Sequence, residues 1–198
     1  MQLIVATRNA HKTREIEQIF GSALAVRDLT AHPEISEITE NGTSFEENAK
    51  LKAIAVSRKL PGLVIADDSG LEVDALGGAP GIQSARYAGV NASDTERIAK
   101  LLREFAKADS KRDQRRARFR CILAVASDGH VLATFEGVVE GKIAERPRGS
   151  HGFGYDPIFI PNGFEQTFAE LPVDVKNNIS HRANAIRKLQ ARLSTLRV

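Results

Sequence analysis

The chain has 198 residues, 42% of them hydrophobic and 27% charged, with a formal net charge of +3. That is enough apolar material for a real core in one domain, with room for two lobes, and the charge is compatible with an anionic ligand without demanding one. The single cysteine excludes an internal disulfide, no stretch approaches the ~20 apolar residues of a membrane span, and "MQLIVATRN" lacks the features of a signal peptide, so a cytoplasmic protein with no membrane partner is expected.

In chain order, "QLIVA" (2–6) predicts a strand and "NAHKTREIEQIF" a helix with Ile16, Ile19 and Phe20 on one face. Residues 30–44 read as a loop. "TSFEENAKLKAIAVSRKL" is a strong helix, opened by Thr43 or Ser44 and closed by Pro61-Gly62. A buried strand follows over 63–67, and Ser69-Gly70 reads as the turn that stops it. Residues 77–89 are too rich in Gly and Pro for a regular element. "SDTERIAKLLREFAK" predicts a helix capped by Ser93. Two long β-like runs come next, joined at Asp128-Gly129, a strong hairpin signal. The buried-looking "CILAVA" makes Cys121 a small core residue rather than a nucleophile. "PRGSHGFGYDPIFI" is a Gly-rich loop leading into a short strand. One last helix carries Ile179, Ala183, Ile186, Leu189, Leu193 and Leu196 at spacings of three or four. Helices alternating with strands, then a hairpin, give an α/β class with a mixed sheet.

Chemistry concentrates in a few places. The apolar strand 63–66 ends in two adjacent acids, Asp67 and Asp68, which need a positive partner. A lysine, a helix N-terminus or a metal ion would serve. The two acids alternate across a strand, so only one faces a given site. Lys52 falls on the apolar stripe of its helix, within about 20° of Phe45, where a lysine is unusual. It either snorkels to water or points into a polar cleft, and the acid pair favours the cleft. Glu40, in the loop before that helix, could join Asp68 in holding Mg²⁺, a hard cation that takes oxygen ligands. The bland alternative is a pair of turn acids.

"ATRNAHK" (6–12) sits at a strand-to-helix junction, where free N–H groups, Thr7, Asn9 and Lys12 suit an anion; it also reads as an ordinary N-cap with a solvated lysine. In "SHGFGYDP" (150–157), Phe153 and Tyr155 offer π-faces, Asp156 an acceptor, and the glycines close approach of a flat ligand. A tight turn with core aromatics is the plainer reading. "KNNISHR" (176–182) places Lys176, Ser180, His181 and Arg182 where donors suit a keto oxygen or phosphate, or simply a solvated face. The run "KRDQRRARFR" (111–120) has six basic residues in ten. In a strand Arg116, Arg118 and Arg120 share one face, and the low net charge and absence of Trp favour a solvated strand over nucleic-acid binding.

Five of these segments, in order over residues 6 to about 186, resemble the noncanonical purine nucleoside triphosphate pyrophosphatases, also called dITP/XTP or inosine triphosphate pyrophosphatases. They are "ATRNAHK", "ENGTSFEENAKLKA", "ADDSGLEVDALGGAPGIQSARYAG", "GFGYDPIF" and "SHRANA". Arg8 stands where many members carry Gly. The resemblance implies a two-lobed α/β fold with an elongated mixed sheet and a central cleft, and a Mg²⁺-dependent homodimer. It also implies hydrolysis of ITP, dITP and XTP to the monophosphate and pyrophosphate. It implies Glu40 and Asp68 as metal ligands, Asp68 as general base, and Lys12 and Lys52 on the phosphates. Thr7, Arg8, Asn9, Ala10 and His11 would assist there, and Ser69 would contact the substrate beside the metal. Phe153 would stack on the purine, with Gly154, Tyr155 and Asp156 as pocket wall. Lys176, His181 and Arg182 would read the base edge.

Overall fold

Three parallel strands begin the sheet. In the computed structural model, which describes residues 2–108 and 115–196, β1 (Gln2–Val5) pairs in parallel with β2 (Ala25–Asp28) on one side and β3 (Leu63–Val73) on the other. The helices that cross between them are α1 (Ala10–Phe20) and α2 (Phe45–Ser57). Parallel strands need such crossovers, which is why the early chain alternates strand and helix. The rest comprises α3 (Asp94–Lys107), β4 (Arg116–Ser127), β5 (His130–Ile143), β6 (Phe159–Pro161), α4 (Val173–Ile179) and α5 (His181–Gln190). The six strands run β2-β1-β3-β4-β5-β6, with β5 and β6 antiparallel, so the sheet is mixed as expected.

Among the described residues the chain forms two compact units. Unit 1 gathers those up to Asp68, Cys121–Gly137 and those from Arg182 on; unit 2 gathers Ser69–Arg120 and Val138–His181. Each has its own core. In unit 1, Leu3, Val5, Leu63, Ile65, Cys121, Leu123 and Val125 from the strands meet Ile16, Phe20, Ile186 and Leu189 from α1 and α5. In unit 2, Leu71, Val73, Phe119, Ile143 and Phe159 meet Ile98, Leu101 and Phe105 from α3, with Tyr155 and Phe168.

Several expectations change. The strand opening at Leu63 does not stop at Ser69-Gly70 but runs to Val73, because Leu71 and Val73 resume the inward alternation and are fully buried. A short strand, Ala25–Asp28, lies where the pattern gave none; four half-exposed residues carry no strong periodicity. The last helix is two. Ser180 takes an extended conformation (φ −66°, ψ 159°) between them, a residue type that interrupts helices by bonding the backbone locally. The hairpin holds: Asp128 and Gly129 both have positive φ, as a two-residue turn of that kind requires. Ser93 caps α3 in a capping box with Glu96.

The basic run divides. Residues 111–114 lie outside the described part. Within unit 2, Arg118 pairs with Asp74, Glu140 and Glu72, and Arg120 with Glu72. Ala117 and Phe119 face inward between them. At this end of β4 the partly exposed arginines are balanced by acids.

Candidate active site

The acids at Asp67 and Asp68 find their positive partners within unit 1, and each finds different ones. Asp67 is buried. Its Oδ1 accepts from Lys12 Nζ, and its Oδ2 from Arg182 Nε at 2.9 Å and from the Cys121 thiol at 3.1 Å. Arg182, 1% exposed, gives its Nη1 to Glu15. Burial opposes ionisation of Asp67, but Arg182 and Lys12 outweigh it and hold the carboxyl well below its ordinary range. The same burial, with Asp67 beside it, pushes the Cys121 thiol well up. Asp67 is thus a fixed anion inside a network of its own.

Asp68 points the other way. Lys52 Nζ donates to Asp68 Oδ1 at 3.1 Å, to Glu40 Oε1 at 2.5 Å and to the Asp67 carbonyl at 2.9 Å. Lys52 is 8% exposed, so it points into a polar site and does not snorkel. Burial lowers its pKa, yet Asp68 and Glu40 together raise it. For Asp68 burial wins over Lys52 and Lys12, with Glu40 adding to it, and its pKa is raised. Asp68 Oδ2 is buried and has no hydrogen-bond partner among the described residues.

Local structure sets Glu40 in place. Ser44 caps α2 by accepting from Glu47 N–H, and Thr43 donates both its N–H and its hydroxyl to Glu47 Oε2. Gly42 N–H donates to Asn48 Oδ1 at 2.8 Å. A Cβ on Gly42 would come within 2.7 Å of Asn48 Oδ1 and Glu47 Cβ, so only glycine lets the loop approach this closely.

At the start of α1, Asn9 is the N-cap and accepts from His11 N–H and Lys12 N–H, while Thr7 Oγ1 accepts from Asn9 N–H. The N–H groups of Asn9 and His11 are therefore committed within the cap. The Arg8 guanidinium donates to the carbonyls of His32 and Ile35, which ties it to the following loop.

Unit 2 holds the aromatic loop. Phe153 is half-buried; its N–H donates to Asp156 Oδ2 at 2.8 Å. Lys176 Nζ donates to the same oxygen at 2.5 Å and stands 5.1 Å from the Phe153 ring centre. His181 stacks on Phe119, with centroids 4.8 Å apart and planes 11° from parallel. Tyr155 is buried and donates its hydroxyl to the Ser84 carbonyl at 3.0 Å, so it is a core wall and offers no free face. Ser69, half-buried, directly follows Asp68 in β3.

The sequence pattern of the Ham1 family matches residues 3–192. The chain belongs to the Ham1 family. A Geobacillus kaustophilus (strain HTA426) protein named dITP/XTP pyrophosphatase is 50% identical over 189 residues, covering 95% of this chain and 92% of that protein. The structure of a HAM1 protein from Coxiella burnetii superposes with a TM-score of 0.87 at 38% identity, covering 98% of this chain and 99% of that one. The Staphylococcus aureus Ham1 protein gives 0.85 at 41% identity over the whole of both chains.

In this Ham1 chain the structure brings Glu40, Lys52 and Asp68 together, Lys12 beside Asp67, and Phe153, Asp156 and Lys176 together. Asp67 and Glu15 both engage the Arg182 guanidinium. Glu15 was missed, although it lies four residues before Ile19 and so on the helix face that packs inward. Among the described residues no cluster of three or more His, Cys, Asp or Glu is arranged to hold a metal. Glu40 and Asp68, one with a buried partnerless oxygen, still fit Mg²⁺, which is bound by one or two carboxylates together with waters and phosphate oxygens.

Proposed function

We propose that this Ham1 protein hydrolyses dITP, XTP and ITP to the nucleoside monophosphate and pyrophosphate. One observation carries the reading: Asp68 presents a buried carboxylate oxygen with no hydrogen-bond partner among the described residues, beside Glu40 and Lys52. The name of the Geobacillus kaustophilus relative supports the choice of substrate.

The reaction is attack of a water oxygen on the α-phosphorus with rupture of the α–β anhydride bond. Asp68 takes the water proton, and the pyrophosphate leaves with the bonding electron pair. Lys12 and Lys52 balance the charge that grows on the leaving group, and both are already aimed by carboxylates, so little reorganisation is needed. Bound between Glu40 and Asp68, Mg²⁺ would polarise phosphoryl oxygens. In unit 2, Phe153 stacks on the purine, and Lys176, fixed by Asp156, donates to a 6-keto oxygen, with His181 as a second reader of the base edge. An adenine amino group would leave that donor unmatched, which disfavours ATP. The homodimer and cytoplasmic location implied by the resemblance belong to the same proposal.

The test is pyrophosphate release from ITP, dITP, XTP, GTP and ATP, with and without Mg²⁺. Release from the 6-keto deaminated purines, abolished by chelation, is expected. Equal rates on ATP and ITP would remove the base-reading role, and full activity in chelator would remove the metal.

A further inference from the structure

Two carboxylates, one from each segment of unit 2, hold the backbone at Phe153 and Gly154. Asp156 accepts the Phe153 N–H, and Asp94 accepts the next one: Gly154 N–H donates to Asp94 Oδ2 at 2.6 Å, across sixty positions of sequence. Asp94 is the first residue of α3, where the helix dipole favours a negative charge. The capping box of Ser93 and Glu96 fixes that first turn, so the position of the Asp94 backbone is well defined.

Asp94 is also held from behind. Its Oδ1 accepts from Arg97 Nη2, and Arg97 Nη1 donates to the Ala85 carbonyl. The neighbouring Ser84 accepts the Tyr155 hydroxyl on its carbonyl, and its own Oγ accepts the Leu71 N–H at 3.0 Å. Three consecutive residues, 153, 154 and 155, are therefore each pinned by a side-chain hydrogen bond, two of them through the segment 84–97. Gly154 itself has φ +64° and no side chain to pack, so its conformation must be imposed by what it bonds to.

We infer that Asp94 is a positioning residue for the purine: it fixes the orientation of the Phe153 ring by holding the peptide that follows, without touching the substrate. This rests on Phe153 being the stacking residue of the function proposed above. It also gives Ser84 and Ala85, in the Gly- and Pro-rich segment 77–89, a task as the back support of that ring.

The experiment uses the full chain with Asp94→Ala and Asp94→Asn. Hydrogen exchange of the 150–156 segment, measured without nucleotide, should speed up about tenfold in Asp94→Ala and stay near wild type in Asp94→Asn, whose amide oxygen can still accept from Gly154. The KM for ITP should rise about tenfold in Asp94→Ala with kcat within about threefold, and Asp94→Asn should recover most of it. Inhibition by inorganic tripolyphosphate, which lacks a base, should be unchanged. Wild-type exchange and KM in Asp94→Ala would overturn the inference. So would equal weakening of ITP and tripolyphosphate, which would mark a general loss of structure. If the wild type releases no pyrophosphate from any purine triphosphate, the proposed function falls, and the exchange result alone separates that failure from failure of the clamp.

Discussion

Arg182 Nε donates to Asp67 Oδ2 at 2.9 Å inside the core of unit 1, and its Nη1 reaches Glu15 on α1. One cation thereby joins β3 to α1, with all three groups buried. Breaking a buried ion pair by removing one partner costs about 3–5 kcal/mol, because buried charge loses a counter-ion, and here Asp67 would lose Arg182 and keep Lys12. Arg182→Met should therefore lower unfolding free energy by about that much in urea titration. A loss under about 1 kcal/mol would show that Asp67 and Glu15 find water or other partners.

Asp68 behaves in the opposite sense. Its burial is only partly offset by Lys52, and one oxygen has no hydrogen-bond partner among the described residues, a cost in stability that the base proposed above would carry. Asp68→Asn should cut kcat for ITP hydrolysis by about 10²–10⁴-fold. Its thermal midpoint should stay within a few degrees of wild type, since Lys52 keeps Glu40 as counter-ion. Retained turnover would take Asp68 out of the reaction, and this differs in kind from the expected Arg182→Met result.

The contrast between these two residues marks what the sequence made legible. Lys52 could be found because a lysine on an apolar helix stripe is locally anomalous, and Asp67-Asp68 because acids ending a core strand are too. Ser93 with Glu96 and Asp128-Gly129 carry their geometry within four residues or fewer. What local pattern does not carry is the choice of partner. That Lys12 takes Asp67 and Lys52 takes Asp68 follows from the register of β3 against α1 and α2. Arg182 meets Glu15 across 167 positions. A basic residue beside His181 does not announce in the sequence that Asp67 and Glu15 engage its guanidinium. β3 continues past Ser69-Gly70 for a similar reason: its extension is decided by burial of Leu71 and Val73, and turn propensity loses to packing.

Gly42 tests the link between loop and site. A methyl there would press on Asn48 and Glu47, the residues that anchor the Glu40 loop to α2. Gly42→Ala should destabilise by about 1–3 kcal/mol and lower kcat/KM by about tenfold or more as Glu40 shifts from Lys52. Chemical denaturation and steady-state kinetics read the two effects separately; unchanged kinetics would mean Glu40 is positioned from elsewhere.

Cys121 should be silent in the native protein. It is fully buried, its thiol donates to Asp67, and its pKa is raised well above the usual value, so little thiolate is present at neutral pH. Reaction with a disulfide reagent should be negligible until denaturant is added, and then complete for one thiol. Rapid labelling of the folded protein would contradict the burial.

Asp28 offers the pH dependence. At the end of β2 its carboxylate accepts from Thr13 Oγ1 at 2.7 Å and from the Thr30 N–H and hydroxyl, tying α1 to the turn after the strand. Desolvation pushes its pKa up, but the threonine hydrogen bonds prevail and lower it. An acid with a depressed folded pKa binds its proton less readily in the native state than unfolded. Its contribution is therefore present above the unfolded value, near 4, and fades as pH falls through the folded one. Asp28→Ala should cost about 1–2 kcal/mol at pH 7, mostly from the lost hydrogen bonds. The gap to wild type should narrow steadily below about pH 4, as the wild-type carboxylate protonates. Parallel urea titrations of both proteins from pH 7 to pH 3 measure it, and a gap that stays constant or widens on acidification would mean the ionised form of Asp28 contributes nothing to the fold.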